Sequence, residues 1–152
     1  VILDGSYNAS PETVKSALET LGELSSKNGR SIFIFGNMNE LGKISQKAHE
    51  NLAEYLDGIV DIFVTVGDFA KLTADAVLQK KILEANAVHS FPDVMLAREF
   101  VKGIIQEKDI ILVKGSQNNI RLEKLVKYIM AEPERARDLL VRQEGIWAGS
   151  KF

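Results

Sequence analysis

No cysteine occurs among the 152 residues. That excludes disulfides, thiolate metal sites and a cysteine nucleophile, and it fits a reducing, cytoplasmic setting. No apolar run approaches the ~20 residues a membrane span needs. The opening Val1–Leu3 has neither the basic region nor the long apolar core of a signal peptide. Neither sign of charge dominates: the formal net charge is −2, which gives no electrostatic case for nucleic acid or an anionic membrane as the main partner. Histidine is scarce, and neither His49 nor His89 has a second histidine or an acid at a spacing that makes a metal site. Glu50 and Glu54 flank His49 but read as solvated charge on a helix face. Reaction signatures are missing too: there is no G-x-S-x-G elbow, no G-x-G-x-x-G fingerprint and no G-x-x-x-x-G-K-[ST] phosphate cradle.

What is present is the balance of a soluble globular domain, 45% hydrophobic and 26% charged. Short β-branched runs alternate with longer helical patterns. The strand candidates are "VILD" (1–4), "SIFIF" (31–35), "IVDIFVTV" (59–66), "AVHSF" (87–91) and "DIILVK" (109–114). They largely lack polar alternation, which predicts burial of both faces in a parallel sheet covered by helices. Helical patterns cover 11–27, 44–57, 68–80, 93–107 and 120–130. In the first, Val14, Leu18, Leu21 and Leu24 fall on one stripe. Ser10 and Pro11 read as N-cap and first helical residue, Asp68 and Asp93 as further caps, and Gly29 as a helix-ending turn. The expected fold class is α/β: a Rossmann-like, open, mostly parallel sheet flanked by helices, with right-handed crossovers. Residues 1–131 form its body, and 132–152 a helix-like segment and tail of the same domain, with Trp147 and Phe152 near the end.

Ligands of open parallel sheets bind outside the carboxyl ends of the strands. The strands here end in "DGSYNASP", "GNMNELG", "VGD" and "KGSQNN". Gly, Asn, Ser and Asp thus gather on one edge, whereas "SSKNGR" and "QKKILEAN" at the other edge read as ordinary turns. Glycines and caps are also what βα turns need for their own sake; the one-sided distribution favours a site. Tyr7 and Asn8 suit stacking on and hydrogen bonding to a base or ribose, and Asn8 equally suits an Asx turn. Glu40 is either a functional carboxylate or a solvated one. Lys114 ends a buried strand, so its ammonium needs a partner. A bound carboxylate and a salt bridge to a nearby acid both satisfy that need.

Together, "DGSYNASP", "GNMNELG…AH" and "VKGSQNNIRLEKLV" resemble the carboxyl-terminal domain of the Mur ligase family over nearly the whole chain. They are most similar to its D-alanyl-D-alanine-adding (MurF-type) branch, whose pattern is D-S-Y-N-A-N-P, G-D-M-x-E-L-G and V-K-G-S-R-x-x-R-L-E. The resemblance implies a cytoplasmic, ATP-dependent, amide-bond-forming ligase of peptidoglycan biosynthesis. It implies two further domains before this one, an N-terminal domain binding the UDP-sugar peptide and a central domain holding ATP and Mg²⁺. The abrupt start in mid-strand is expected of an excised domain, inactive alone. In the whole enzyme, UDP-MurNAc-tripeptide is activated as an acyl phosphate and the amine of D-Ala-D-Ala attacks it. The resemblance assigns Tyr7 and Asn8 to the nucleotide and Lys114 and Ser116 to the D-Ala-D-Ala acceptor. Asp4, Asn37, Glu40, His49, Arg121 and Glu123 shape or support the site loops. No catalytic residue and no metal ligand is expected in this domain. Three positions depart from the pattern: Ser10 for Asn, Asn37 for Asp, and Gln117 where Arg is common. A stand-alone binding module on the same fold, or another Mur- or folylpolyglutamate-type ligase with a different acceptor, are the alternatives.

Overall fold

The computed structural model describes residues 1–116, 120–141 and 143. Gln117 and the segment holding Trp147 and Phe152 lie outside the described residues. Five strands, β1 (Ile2–Gly5), β2 (Ser31–Gly36), β3 (Ile62–Val66), β4 (Val88–Phe91) and β5 (Ile110–Lys114), form one sheet in the order β1-β5-β2-β3-β4. Every pairing is parallel. The helices are α1 (Pro11–Asn28), α2 (Ser45–Leu52), α3 (Asp68–Gln79), α4 (Val94–Ile104), α5 (Glu123–Ile129) and the short α6 (Ala136–Leu139).

Right-handed crossovers fix which face each helix covers. The chain steps from β1 to β2, β3 and β4 in one direction, so α1, α2 and α3 share a face. The return from β4 to β5 runs the other way and puts α4, with α5 after it, on the opposite face. The two cores follow this division. One joins Val14, Leu18, Leu21, Leu52 and Val77 to Phe33, Phe35 and Phe63. The other joins Val94, Val101, Leu125 and Ile129 to Ile32, Ile34, Val64 and Val66. Successive residues of β2 therefore enter different cores, and all six are buried; a strand used on both faces has no polar alternation. Phe33 stacks on Phe63 with ring centroids 5.3 Å apart.

Helix ends show where local signals decide and where they do not. Ser10 is extended, its hydroxyl accepts from the Thr13 N–H at 3.3 Å, and Thr13 Oγ1 accepts from the Ser10 N–H at 2.9 Å, a reciprocal box ahead of Pro11. Asp93 caps α4 by accepting from the Met95 and Leu96 N–H groups. Asp68 does not cap α3: the N-cap is Gly67 at φ +98°, and Asp68 is the first helical residue. Gly29 does end α1, with a φ of 163° that is ordinary extended backbone. Its need for glycine is steric, because a Cβ there would sit 2.2 Å from the Lys108 carbonyl oxygen.

Several elements are shorter than expected; α4, for one, ends at Ile104 where the helical pattern runs to 107. β3 starts at Ile62, because Ile59–Asp61 leave a 3₁₀ turn at Ala53–Leu56 whose Leu56 carbonyl takes the Val60 N–H. The Asp61 carboxylate there accepts from the Ser31 N–H and hydroxyl at 2.7 and 2.9 Å. That same 3₁₀ turn replaces the last part of the helix expected over 44–57. α5 starts at Glu123, because Arg121 sits at φ +58°. Leu24, at the end of the α1 stripe, is 38% exposed while Val14, Leu18 and Leu21 are fully buried.

Candidate functional site

The strand order makes the carboxyl end of β5 a switch point on both sides. Its neighbours β1 and β2 are followed by helices on one face, and β5 by a helix on the other. The loops leaving β1 and β2 therefore diverge from the loop leaving β5, the arrangement in which α/β sheets bind ligands. Gly5, Lys114 and Phe35 lie in one row across this edge.

The first loop, Ser6–Ser10, opens with an Asx turn in which Asp4 Oδ1 accepts from the Ser6 N–H at 2.9 Å. Ser6 and Ala9 are buried and Tyr7 and Asn8 exposed, Tyr7 by 51%. Two side chains from β5 and its loop hold this segment. Lys114 Nζ donates to the Asn8 carbonyl oxygen, and Ser116 Oγ donates to the Ala9 carbonyl oxygen at 3.2 Å. Lys114 is only 8% exposed. Burial pushes its pKa below the ordinary lysine value, and the charge of Asp4 pulls the other way. The partner that the strand-end lysine requires is thus a backbone carbonyl, with Asp4 contributing a longer-range field. A hollow of about 300 Å³ beside β1 is lined by Leu3, Asp4, Thr20, Leu112 and Lys114 among others.

Ser116 also reaches the second loop. Its N–H donates to the Asn37 carbonyl oxygen at 2.9 Å, and its hydroxyl accepts from the Asn39 N–H at 2.9 Å. Asn37 passes the connection to a third loop, because its Oδ1 accepts from the Ala70 N–H at 2.9 Å. Ala70 is the third residue of α3, so the side chain of Asn37 supplies the cap that Gly67 lacks. Gly67 leaves room for it: a Cβ there would lie 3.0 Å from Asn37 Oδ1 and 2.6 Å from Ile120 Cδ1.

His49 supports the second loop from below. It is fully buried on α2; its Nε2 accepts from the Met38 N–H at 3.0 Å, and its Nδ1 lies 2.7 Å from the Ser45 carbonyl oxygen. Those partners fix a neutral ring protonated at Nδ1. Burial lowers its pKa, and the Ser45 carbonyl partly opposes the shift. The ring stacks on Phe69 at 5.6 Å, and its backbone carbonyl accepts from Thr73 Oγ1 at 2.9 Å. Glu40 is exposed at φ +65°. Arg121 and Glu123 form a buried ion pair through Arg121 Nε and Glu123 Oε1.

The structure therefore brings Asp4, Tyr7, Asn8, Asn37, Lys114 and Ser116 to one edge, with His49 bonded to the second loop through the Met38 N–H and Arg121 and Glu123 paired with each other. Two participants carry no side-chain signal in the sequence. Asn39 takes part through its backbone N–H, and Ala9 through its carbonyl. Ser6 has a buried hydroxyl without a hydrogen-bond partner. Phe69 is 44% exposed on the same edge while its ring rests on His49. Among the described residues, no three His, Asp or Glu side chains converge as metal ligands, and no helix is long and apolar enough to cross a membrane.

Residues 1–117 match the family described as Mur ligase, glutamate ligase domain. The chain is 35% identical over 124 residues to the UDP-N-acetylmuramoyl-tripeptide–D-alanyl-D-alanine ligase of Rickettsia prowazekii, covering 80% of this chain and 26% of that protein. The protein of the same name from Bacillus subtilis is 28% identical over 133 residues, covering 87% of this chain and 28% of that one. The chain thus spans about a quarter of the length of the curated relatives it matches. Among solved structures, the MurF ligase of Thermotoga maritima in complex with ADP has the same fold, with a TM-score of 0.66 at 22% identity over 88% of this chain and 29% of that one.

Proposed function

The chain belongs to the Mur ligase family, and from that premise we propose that it is the C-terminal domain of a cytoplasmic, ATP-dependent, D-alanyl-D-alanine-adding ligase of peptidoglycan biosynthesis. The observation that carries the reading is the 35% identity over 124 residues to a protein named for that reaction. A stand-alone binding module is not favoured by such a match.

In the proposed reaction the carboxylate of UDP-MurNAc-tripeptide takes the terminal phosphoryl group of ATP, releasing ADP and forming an acyl phosphate. The amine of D-Ala-D-Ala then attacks it, releasing phosphate and forming the amide. The residues of this chain bind and orient. Tyr7 and Asn8, exposed on the first loop, are proposed to meet adenine or ribose. Lys114 spends one of its three N–H donors on the Asn8 carbonyl and keeps two, enough to take the acceptor carboxylate in charge-assisted bonds. Ser116 lies beside it with one hydroxyl lone pair still open after accepting from Asn39. Asp4, Asn37, Glu40, His49, Arg121 and Glu123 are proposed to hold these loops in register. Magnesium is expected with the nucleotide. The described residues do not fit a metal, so no step runs through one here, and phosphate and metal contacts are assigned mainly to the central domain of the whole enzyme.

The test is ADP release by the full-length protein with ATP, UDP-MurNAc-tripeptide and a panel of acceptors. Release should require D-Ala-D-Ala. Turnover with a single amino acid in place of D-Ala-D-Ala would overturn the acceptor assignment. Ligation by the 152-residue chain alone would overturn the division of labour between domains.

A further inference from the structure

Ser116 stands out because its two polar atoms engage both loops that flank β5. Its hydroxyl donates to the Ala9 carbonyl oxygen at 3.2 Å on the first loop and accepts from the Asn39 N–H at 2.9 Å on the second. Its own N–H holds the Asn37 carbonyl oxygen at 2.9 Å. The residue is 9% exposed, so water is poorly placed to replace these bonds. We propose that the Ser116 hydroxyl is a positioning group that ties the nucleotide-facing loop after β1 to the loop after β2, with Ser116 itself on the acceptor-facing loop after β5, so that the two sides of the ligase site are set as one unit.

The chemistry needs a hydroxyl at this point. The Ala9 carbonyl requires a donor and the Asn39 N–H an acceptor; a hydroxyl is the smallest group that is both at once. Either loop alone is anchored elsewhere, the first by Lys114 on the Asn8 carbonyl and the second by His49 on the Met38 N–H. Losing the hydroxyl therefore leaves each loop attached, and the Ser116 N–H still on the Asn37 carbonyl oxygen, but removes the direct side-chain link between Ala9 and Asn39. Correct spacing of the two substrates is what such a link controls, because small misplacements of reacting groups cost rate steeply.

This inference rests on the ligase reading above, and the experiment separates the two. In the full-length enzyme, Ser116→Ala should raise KM for both ATP and D-Ala-D-Ala by about tenfold each, the equivalent of one lost hydrogen bond. Ser116→Thr, which keeps the hydroxyl, should restore both. Amide exchange in segments 6–10 and 37–42 should quicken together in Ser116→Ala. Should that variant fail to fold, Ser116→Cys, with a weak donor of similar size, carries the same comparison. A rise in the acceptor constant alone would overturn the coupling, as would unchanged constants with only a lowered unfolding midpoint. Wild-type enzyme without D-Ala-D-Ala-dependent turnover would remove the ligase reading, and the paired exchange of the two segments would still decide whether Ser116 links them.

Discussion

Replacing Asn37 tests how the second and third loops are joined. Its Oδ1 takes the Ala70 N–H at 2.9 Å, and α3 begins behind Gly67, which has no side chain to cap it. Asn37→Ala removes that acceptor and leaves a backbone donor of the first turn without its partner. Loss of an N-cap side chain costs about 1–2 kcal/mol, which for a domain of this size lowers Tm by about 2–8 °C. Asn37→Asp has the opposite logic. A carboxylate oxygen can accept the same N–H, and its charge meets the positive end of the α3 dipole, worth about 0.3–1 kcal/mol at an exposed site. Asp68, already in the first turn, offsets part of that gain through like-charge repulsion. Asn37→Asp should thus match or slightly exceed wild type, with Asn37→Ala clearly below both, in urea unfolding of the 152-residue chain at neutral pH. Equal losses in the two variants, or no loss in Asn37→Ala, would refute the capping argument.

His49 gives a pH signature. Its folded pKa is lowered from the ordinary 6.5, so the unfolded chain binds the proton more tightly, and the stability tied to a neutral His49 is complete above pH 6.5 and falls as the pH drops below it. His89 is shifted the same way by burial, so the expected result is that His49→Gln is less stable at neutral pH yet loses less on acidification than wild type, measured as unfolding free energy from pH 7.5 to 5. Truncating one member of the buried Arg121–Glu123 pair removes a charge-assisted bond from the interior, so Glu123→Ala should destabilise the domain in chemical unfolding, with an Arg121→Met, Glu123→Leu double variant recovering much of the loss. Gly29→Ala puts a Cβ 2.2 Å from the Lys108 carbonyl oxygen; overpacking of that kind costs about 1–3 kcal/mol, visible as a lower denaturation midpoint with unchanged m-value.

Much of this architecture is legible from the chain itself. Strands buried on both faces leave apolar runs such as "SIFIF", and helices capped by their own side chains announce themselves at Ser10 and Asp93. The α3 cap is illegible locally because it comes from Asn37, 33 positions before Ala70. The insertion of β5 between β1 and β2 depends on pairings no local pattern encodes, and it is what sets Lys114 between the first two loops. The site follows the same division. Residues of the kind that bind ligands can be seen to gather on one edge of an α/β sheet. The bonds that join their loops cannot, because they pair side chains with backbone groups across separations of 77 and 107 residues. Lys114 shows both sides: its need for a partner follows from burial, and the partner itself is the Asn8 carbonyl, a backbone group with no sequence mark.

The central claim is that the loops leaving β1 and β5 face the nucleotide and the acceptor of a D-Ala-D-Ala-adding ligase. Steady-state kinetics of the full-length enzyme carrying Tyr7→Ala or Lys114→Ala, with each substrate varied in turn, test it most directly. Tyr7→Ala should raise KM for ATP more than that for D-Ala-D-Ala, and Lys114→Ala should raise KM for D-Ala-D-Ala more than that for ATP. An acceptor constant unchanged by loss of Lys114 would contradict it.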